Sequence, residues 1–228
     1  MVPEVPAVPE VPEVLVLAAT PLESKRLKSA GVHVVVSGIG AVNTAHALTQ
    51  HLARHSTPSL VIQTGVAGAY VPADVPVGSV LLADTEIYGD LGVLTPQGWL
   101  PMEEIGIPLL EASLSHPARF NYFPLDAHLV ERAEAAAGGL VERTGKFLTV
   151  SQVTGVRAIG DVLYKRFGAL CESMEGAAAA HVCAMHGVPF LEVRGISNLV
   201  EDRDRAKWRL AEAASAAQNA VLKILENL

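Results

Sequence analysis

The chain has only two cysteines, Cys171 and Cys183, with no C-x-x-C pair and no Cys/His spacing suited to a metal. That excludes a disulfide scaffold and a zinc module. It leaves both thiols as small buried hydrophobes in a reducing compartment. Cations are also scarce: 17 Lys and Arg against 24 Asp and Glu give a net charge of −7. Such a chain is a poor partner for a phosphate backbone, so no nucleic acid is expected. It also lacks the basic patch that holds a protein on a membrane surface. No apolar run reaches the ~20 residues that span a bilayer, and the N-terminus has no basic region of the secretory kind. The expected location is the cytoplasm. The eight histidines show no H-E-x-x-H spacing, no G-x-S-x-G elbow occurs, and neither a metal nor another cofactor is expected. His46, His51 and His55 are read as helix-surface residues.

What is abundant is Ala, Val and Gly; half of the 228 residues are hydrophobic while 5% are aromatic. This suits helices packed closely on a sheet. The first 13 residues, MVPEVPAVPEVPE, carry a proline about every third position. Proline fixes φ and removes donors, so residues 1–13 are read as a flexible leader. Residues 14–228 are read as a single domain. Within it, apolar strand-like runs alternate with helix-like segments. VLVLA (14–18), HVVVSGIG, LVIQTGVAG, GSVLLADTEIY, LVERTGKFLTVSQVT, ALCESM and VPFLEVRGISN read as strands. TPLESKRLKSAG, AVNTAHALTQHLARH, LDAHLVERAEAAAGG, GVRAIGDVLYKRFG, EGAAAAHVCAMHG and DRAKWRLAEAASAAQNAVLKIL read as helices. Residues 89–120 have no clear period and are read as loop with an insert whose structure stays open. The alternation predicts an α/β fold, a three-layer α/β/α sandwich around a central mixed, mostly parallel sheet.

Several positions then invite chemistry. SGIGAVN has two glycines after a strand but Asn43 where a dinucleotide fingerprint needs a third, so a tight turn is the better reading. Backbone amides at that helix start remain available to a polar group. TGVAGAY (64–70) reads as a small-residue turn at a strand's carboxyl end, where ligands of open α/β sheets sit. Glu23 is either a first-turn acid favoured by the helix dipole or a carboxylate aimed into that crevice. Glu175 has the same two readings. Its Met, Gly and Ala neighbours argue for burial, and a buried acid needs a strong partner such as a sugar diol. Asn198 ends an apolar strand, as a loop cap or as a group that reads a ligand.

Taken in order, SGIG, TGVAG, GKFLTVSQVT, CESMEGAAAAHVC and VPFLEVRGISN resemble the purine nucleoside phosphorylase superfamily, and most closely its nucleosidase branch. The similarity covers nearly everything after residue 13. The resemblance implies a nucleoside phosphorylase-like fold, a small-molecule purine nucleoside substrate and a homodimer or larger homo-oligomer. It implies that Glu23 positions and deprotonates water. Met174 and Glu175 would pack on and hydrogen-bond the ribose, Val153 and Thr154 would line the base, and Ala67 and Gly68 would flank the sugar. Asn198 falls where adenosine-type nucleosidases keep a catalytic Asp. An amide can donate to the O6 and N7 acceptors of a 6-oxopurine at neutral pH without a raised pKa. The ending GISNLVEDRDRAKW resembles in particular those branch members that release hypoxanthine. Their substrate carries a carboxylate on its 5′ side, for which Arg119, Arg157 and Arg203 are candidate partners. Residues 55–118 contain no Lys or Arg. A phosphorylase needs cations for its anion, so a cation-free pocket is expected to favour water.

Overall fold

The computed structural model describes residues 14–113 and 116–228; the leader reading of residues 1–13 lies outside them. Ten strands and seven helices alternate along the described chain. The strands are β1 (Val14–Ala18), β2 (Val34–Val36), β3 (Leu60–Tyr70), β4 (Val80–Tyr88), β5 (Gly92–Thr95), β6 (Gly98–Pro101), β7 (Tyr122–Pro124), β8 (Arg143–Thr149), β9 (Cys171–Ser173) and β10 (Phe190–Val200). The helices are α1 (Pro21–Ser29), α2 (Ala41–Arg54), α3 (Met102–Ile105), α4 (Ala127–Ala136), α5 (Arg157–Phe167), α6 (Gly176–His186) and α7 (Leu210–Asn227).

The large sheet runs β10-β4-β8-β9-β3-β1-β2, with β7 added to β4. It is mixed: β1 is parallel to both β2 and β3, β10 to β3, and β8 to both β4 and β9, while β10–β4, β3–β9 and β4–β7 are antiparallel. This is the expected α/β class. One feature goes beyond an open sandwich. Because β10 pairs with β3 as well as β4, the strands β3, β10, β4, β8 and β9 close into a ring. Closure leaves neither β3 nor β10 with a free edge.

Side chains alternate across the sheet and find helices on both faces. On β1, Val16 packs with Leu27 of α1, Val130 of α4 and Val221 of α7. Its neighbours Leu15 and Leu17 pack instead with Leu48 of α2 and Ala180 of α6. The run of alanines in α6 lets it lie close to the strands; Ala177 and Ala179 are fully buried. Cys171 and Cys183 are free and buried.

Four local expectations need correction. TGVAGAY is not a turn: it continues β3 without a break, because β10 on one side and β9 on the other keep it extended. Within residues 89–120 the chain forms the β5–β6 hairpin and the short α3. Asn198 does not end the last strand but lies inside β10, which runs on to Val200, opposite Gly68 and next to a bulge. His51 is not on the surface; it is buried between the His33 ring, which meets it edge-on at 5.3 Å, and the tilted His55 ring at 4.5 Å.

Candidate active site

Glu23, Ala67, Gly68, Val153, Thr154, Met174, Glu175 and Asn198 line one cavity of about 430 Å³ at the carboxyl ends of β1, β3 and β10. The size suits a small ligand such as a nucleoside. These eight residues are therefore brought to one place by the topology. Ile39, Val66, Glu172, Ser197, Arg203 and Trp208 join them.

At the acidic end, Glu23 sits in the first turn of α1 but does not face solvent; it is 5% exposed. One of its oxygens accepts from the Val66 amide at 2.9 Å, and the other from the Thr20 hydroxyl at 2.7 Å. Those two donors aim the carboxylate across the strand ends. Glu175 is the residue before α6, and its side chain makes no cap bond to that helix. Its Oε1 instead accepts from the Gly40 amide at 2.9 Å, and its Oε2 pairs with Arg194 Nη2 at 3.1 Å. The Gly-x-Gly turn thus spends a backbone amide on a protein carboxylate, and Gly40 reaches that geometry at φ +94°.

Arg194 corrects one expectation: the site is not cation-free. Its guanidinium is 1% exposed and lies behind the cavity wall. Nε meets Glu192 Oε1 at 2.5 Å, and Nη1 donates to the Val66 carbonyl at 3.1 Å. Burial disfavours its charge, but the carboxylates of Glu192, Glu175 and Glu23 outweigh that and hold it above its usual range. Gly65 stands opposite Arg194 in the β3–β10 register. A Cβ there would come within 2.5 Å of Glu23 Oε1 and 2.6 Å of Arg194 Nη1. Glycine is what admits both charges behind the strand. Arg203 is a second cation at the cavity, exposed on the rim with its guanidinium 4.8 Å from the Trp208 ring. Of the other two candidate arginines, Arg157 is engaged with Asp161 at 2.8 Å and Arg119 donates to the Pro124 carbonyl at 3.2 Å, both away from this cavity.

At the opposite end, Asn198, Gly68 and Glu172 stand side by side on β10, β3 and β9. Asn198 Nδ2 lies 3.0 Å from the Leu199 carbonyl, which can only accept, so the amide orientation is fixed. Its Oδ1 lies 2.7 Å from the Ser197 hydroxyl. One Nδ2 hydrogen is left to face the cavity. Gly68 leaves it space, since a Cβ there would stand 3.1 Å from Nδ2. Glu172 was not singled out from the sequence. Its carboxylate accepts from the Thr154 amide at 2.6 Å, the Thr154 hydroxyl at 2.8 Å and the Tyr70 hydroxyl at 2.9 Å. Burial raises its pKa, while the Thr154 and Tyr70 donors oppose that. It pins the 153–154 loop over the cavity. An acid inside the apolar run ALCESM was its one sequence signal.

A cavity of nucleoside size at a strand-end crevice, acids at one end and an oriented amide at the other, defines an α/β protein built to hold a polar ring compound. The sequence model of the phosphorylase superfamily matches residues 3–226, and the chain belongs to that family. It is 41% identical over 166 residues to a futalosine hydrolase of Streptomyces coelicolor, covering 72% of this chain and 64% of that protein's own length. It is 38% identical over 200 residues to a futalosine hydrolase of Thermus thermophilus, covering 87% of this chain and 83% of the relative. Among solved structures, the fold matches a 5′-methylthioadenosine/S-adenosylhomocysteine nucleosidase of Neisseria meningitidis with a TM-score of 0.75 at 24% identity, over 94% of this chain and 99% of that one. No helix among the described residues is long and apolar enough to cross a membrane.

Proposed function

We propose that the chain is a hydrolytic N-glycosidase that cleaves futalosine to hypoxanthine and dehypoxanthine futalosine, a step of menaquinone biosynthesis, in the cytoplasm and as a homo-oligomer. The observation that carries the reading is the fixed Asn198 amide. It offers N–H to the base end, which complements the O6 and N7 acceptors of hypoxanthine. Adenine presents an amino donor at the same edge. The likeness to methylthioadenosine-type nucleosidases therefore carries the fold over to this chain, with a different base preference.

Cleavage proceeds by stretching of the C1′–N9 bond as positive charge grows on the ribose. Glu175 holds the ribose hydroxyls, with Met174 packed on the sugar and Ala67 and Gly68 beside it, a positioning role. Asn198 donates to the departing base as negative charge develops there. Val153 and Thr154 bound the base, and the Glu172 carboxylate holds Thr154 in place. Glu23 takes a proton from the water that attacks C1′, general-base catalysis worth roughly 10²–10⁴-fold. Water is preferred over phosphate because the guanidinium behind this wall is already paired with carboxylates. Glu23 would also repel an anion. Arg203 and Trp208, a cation beside an aromatic ring, form the wall that takes the carboxylate-bearing aromatic 5′ substituent.

The test is incubation of the protein with futalosine, inosine and methylthioadenosine in phosphate-free buffer, reading released base by absorbance. Hypoxanthine from futalosine is expected. Cleavage that requires added phosphate, or that is confined to methylthioadenosine, would overturn the reading.

A further inference from the structure

Four carboxylates crowd one guanidinium behind the sugar end of the cavity. Glu23, Glu175 and Glu192 all act on Arg194, and Glu86 of β4 joins Glu192 from the neighbouring strand. Glu86 and Glu192 are 0% exposed. Both reach Gly176, the first residue of α6: a Cβ at that position would collide with an oxygen of each carboxyl. As carboxylates, neither has a hydrogen to give the other. Both oxygens of Glu86 and Oε2 of Glu192 then have no hydrogen-bond partner among the described residues. Leaving such groups bare is costly in an interior, and a single proton shared between the two carboxyls pairs two of the three oxygens.

We propose that Glu86 is a protonated acid which donates its hydrogen to Glu192, and that the pair is a positioning device for Arg194 and, through it, for Glu175. The chain of contacts is continuous. Glu192 fixes Arg194 Nε, Arg194 Nη2 fixes Glu175 Oε2, and the Gly40 amide fixes the other Glu175 oxygen. With Glu86 neutral, Glu192 holds the near edge of the guanidinium and leaves Nη2 to Glu175. With Glu86 ionised, a second anion beside Glu192 competes for the same cation and weakens its hold on the sugar-binding acid. Burial, followed by the charge of Glu192, pushes the Glu86 pKa well above the usual carboxylate range, against the pull of Arg194 and Thr149. The groups around Glu86 come from four strands and one helix. β10 presents Glu192 and Arg194, β9 the Cys171 thiol, β8 the Thr149 hydroxyl and β4 Tyr88, while α6 brings only Gly176 and Ala177 to this point. Thr149 accepts from the Ala177 amide at 2.8 Å, so its own hydrogen can turn to the Glu86 oxygen that the shared proton leaves bare, a contact that opposes the rise in pKa without pairing Glu192 Oε2.

This inference rests on the reading of Glu175 as the group that holds the ribose hydroxyls. Glu86→Gln keeps an N–H for Glu192 but cannot ionise. With futalosine as substrate, kcat and KM would be measured from roughly pH 6 to 10 for both proteins. The wild type should lose kcat by about tenfold per pH unit beyond the Glu86 pKa. Glu86→Gln should stay within about threefold of it near neutrality and lose that limb or shift it by at least one unit. An alkaline limb that is the same in both proteins, or absent from the wild type, overturns the positioning role. An infrared spectrum of the wild type near neutral pH keeps the proposal falsifiable if the variant fails to fold: it should show the C=O stretch of an un-ionised buried carboxyl, and its absence sinks the shared proton. Should the wild type release no hypoxanthine at any pH, the proposed function falls, while a spectrum without that band still rules out a neutral Glu86.

Discussion

Replacing Asn198 by Asp changes one atom of the site and turns a donor into an acceptor. The amide now gives one hydrogen to the Leu199 carbonyl at 3.0 Å and has a second to give. A carboxylate there would set a negative oxygen against that carbonyl, so the new side chain must hold a proton or rotate away. Held in place with its one proton spent on Leu199, it has nothing left to donate to the O6 and N7 acceptors of hypoxanthine. One unpaired polar edge costs about 1–3 kcal/mol. At about 1.4 kcal/mol per decade, that is a loss of roughly five- to 150-fold in kcat/KM on a 6-oxopurine nucleoside. A 6-aminopurine, which brings its own donor, should lose far less or gain. The assay is kcat/KM for futalosine and methylthioadenosine with wild type, Asn198→Asp and Asn198→Ala; the Ala variant should weaken both substrates without reversing their order. A futalosine-to-methylthioadenosine ratio in Asn198→Asp equal to that of the wild type would refute the argument that this amide reads the base.

Two further substitutions address the other walls. Glu23→Gln should still bind hypoxanthine, measured by titration calorimetry, while its turnover falls by about 10²–10⁴-fold; turnover near the wild-type value would remove Glu23 from the base role. Arg203→Leu should raise KM for futalosine by about tenfold or more and leave inosine, which lacks the 5′ carboxylate, nearly unchanged; equal effects on both would place the carboxylate elsewhere.

Strand and helix order was legible from position 14 onward because the buried strands are short apolar runs punctuated by glycine. Where glycine misled, pairing was the reason. TGVAGAY has a turn's composition, yet two neighbouring strands hold it extended, and a single sequence does not display its sheet partners. The hairpin within 89–120 lacks strong alternation, and its exposed residue Leu94 reads as loop. At the site, Glu23, Glu175 and Asn198 were visible as polar residues at the ends of apolar segments. Arg194 and Glu192 were harder to see. They lie two apart in LEVRG, so they face the same side of a strand, which is the spacing of a buried ion pair rather than of a surface stripe. Their partners Glu86 and Glu175 come from segments about 100 and 20 residues away in the chain, and only the ring of strands brings them together.

The irregularity at Ser197 has a consequence for how this site can change. Ile196 faces Ala67 and Asn198 faces Gly68, so Ser197 is an extra residue with no counterpart on β3. Were the strand regular, Asn198 would fall beside Ala69 and point its amide the other way. The placement of the Asn198 amide is thus written as a residue count along the backbone. Deleting Ser197 would restore an even ladder with the asparagine still opposite Gly68, but would remove the hydroxyl that holds its Oδ1; pulling the bulge straight without a deletion would turn the amide away.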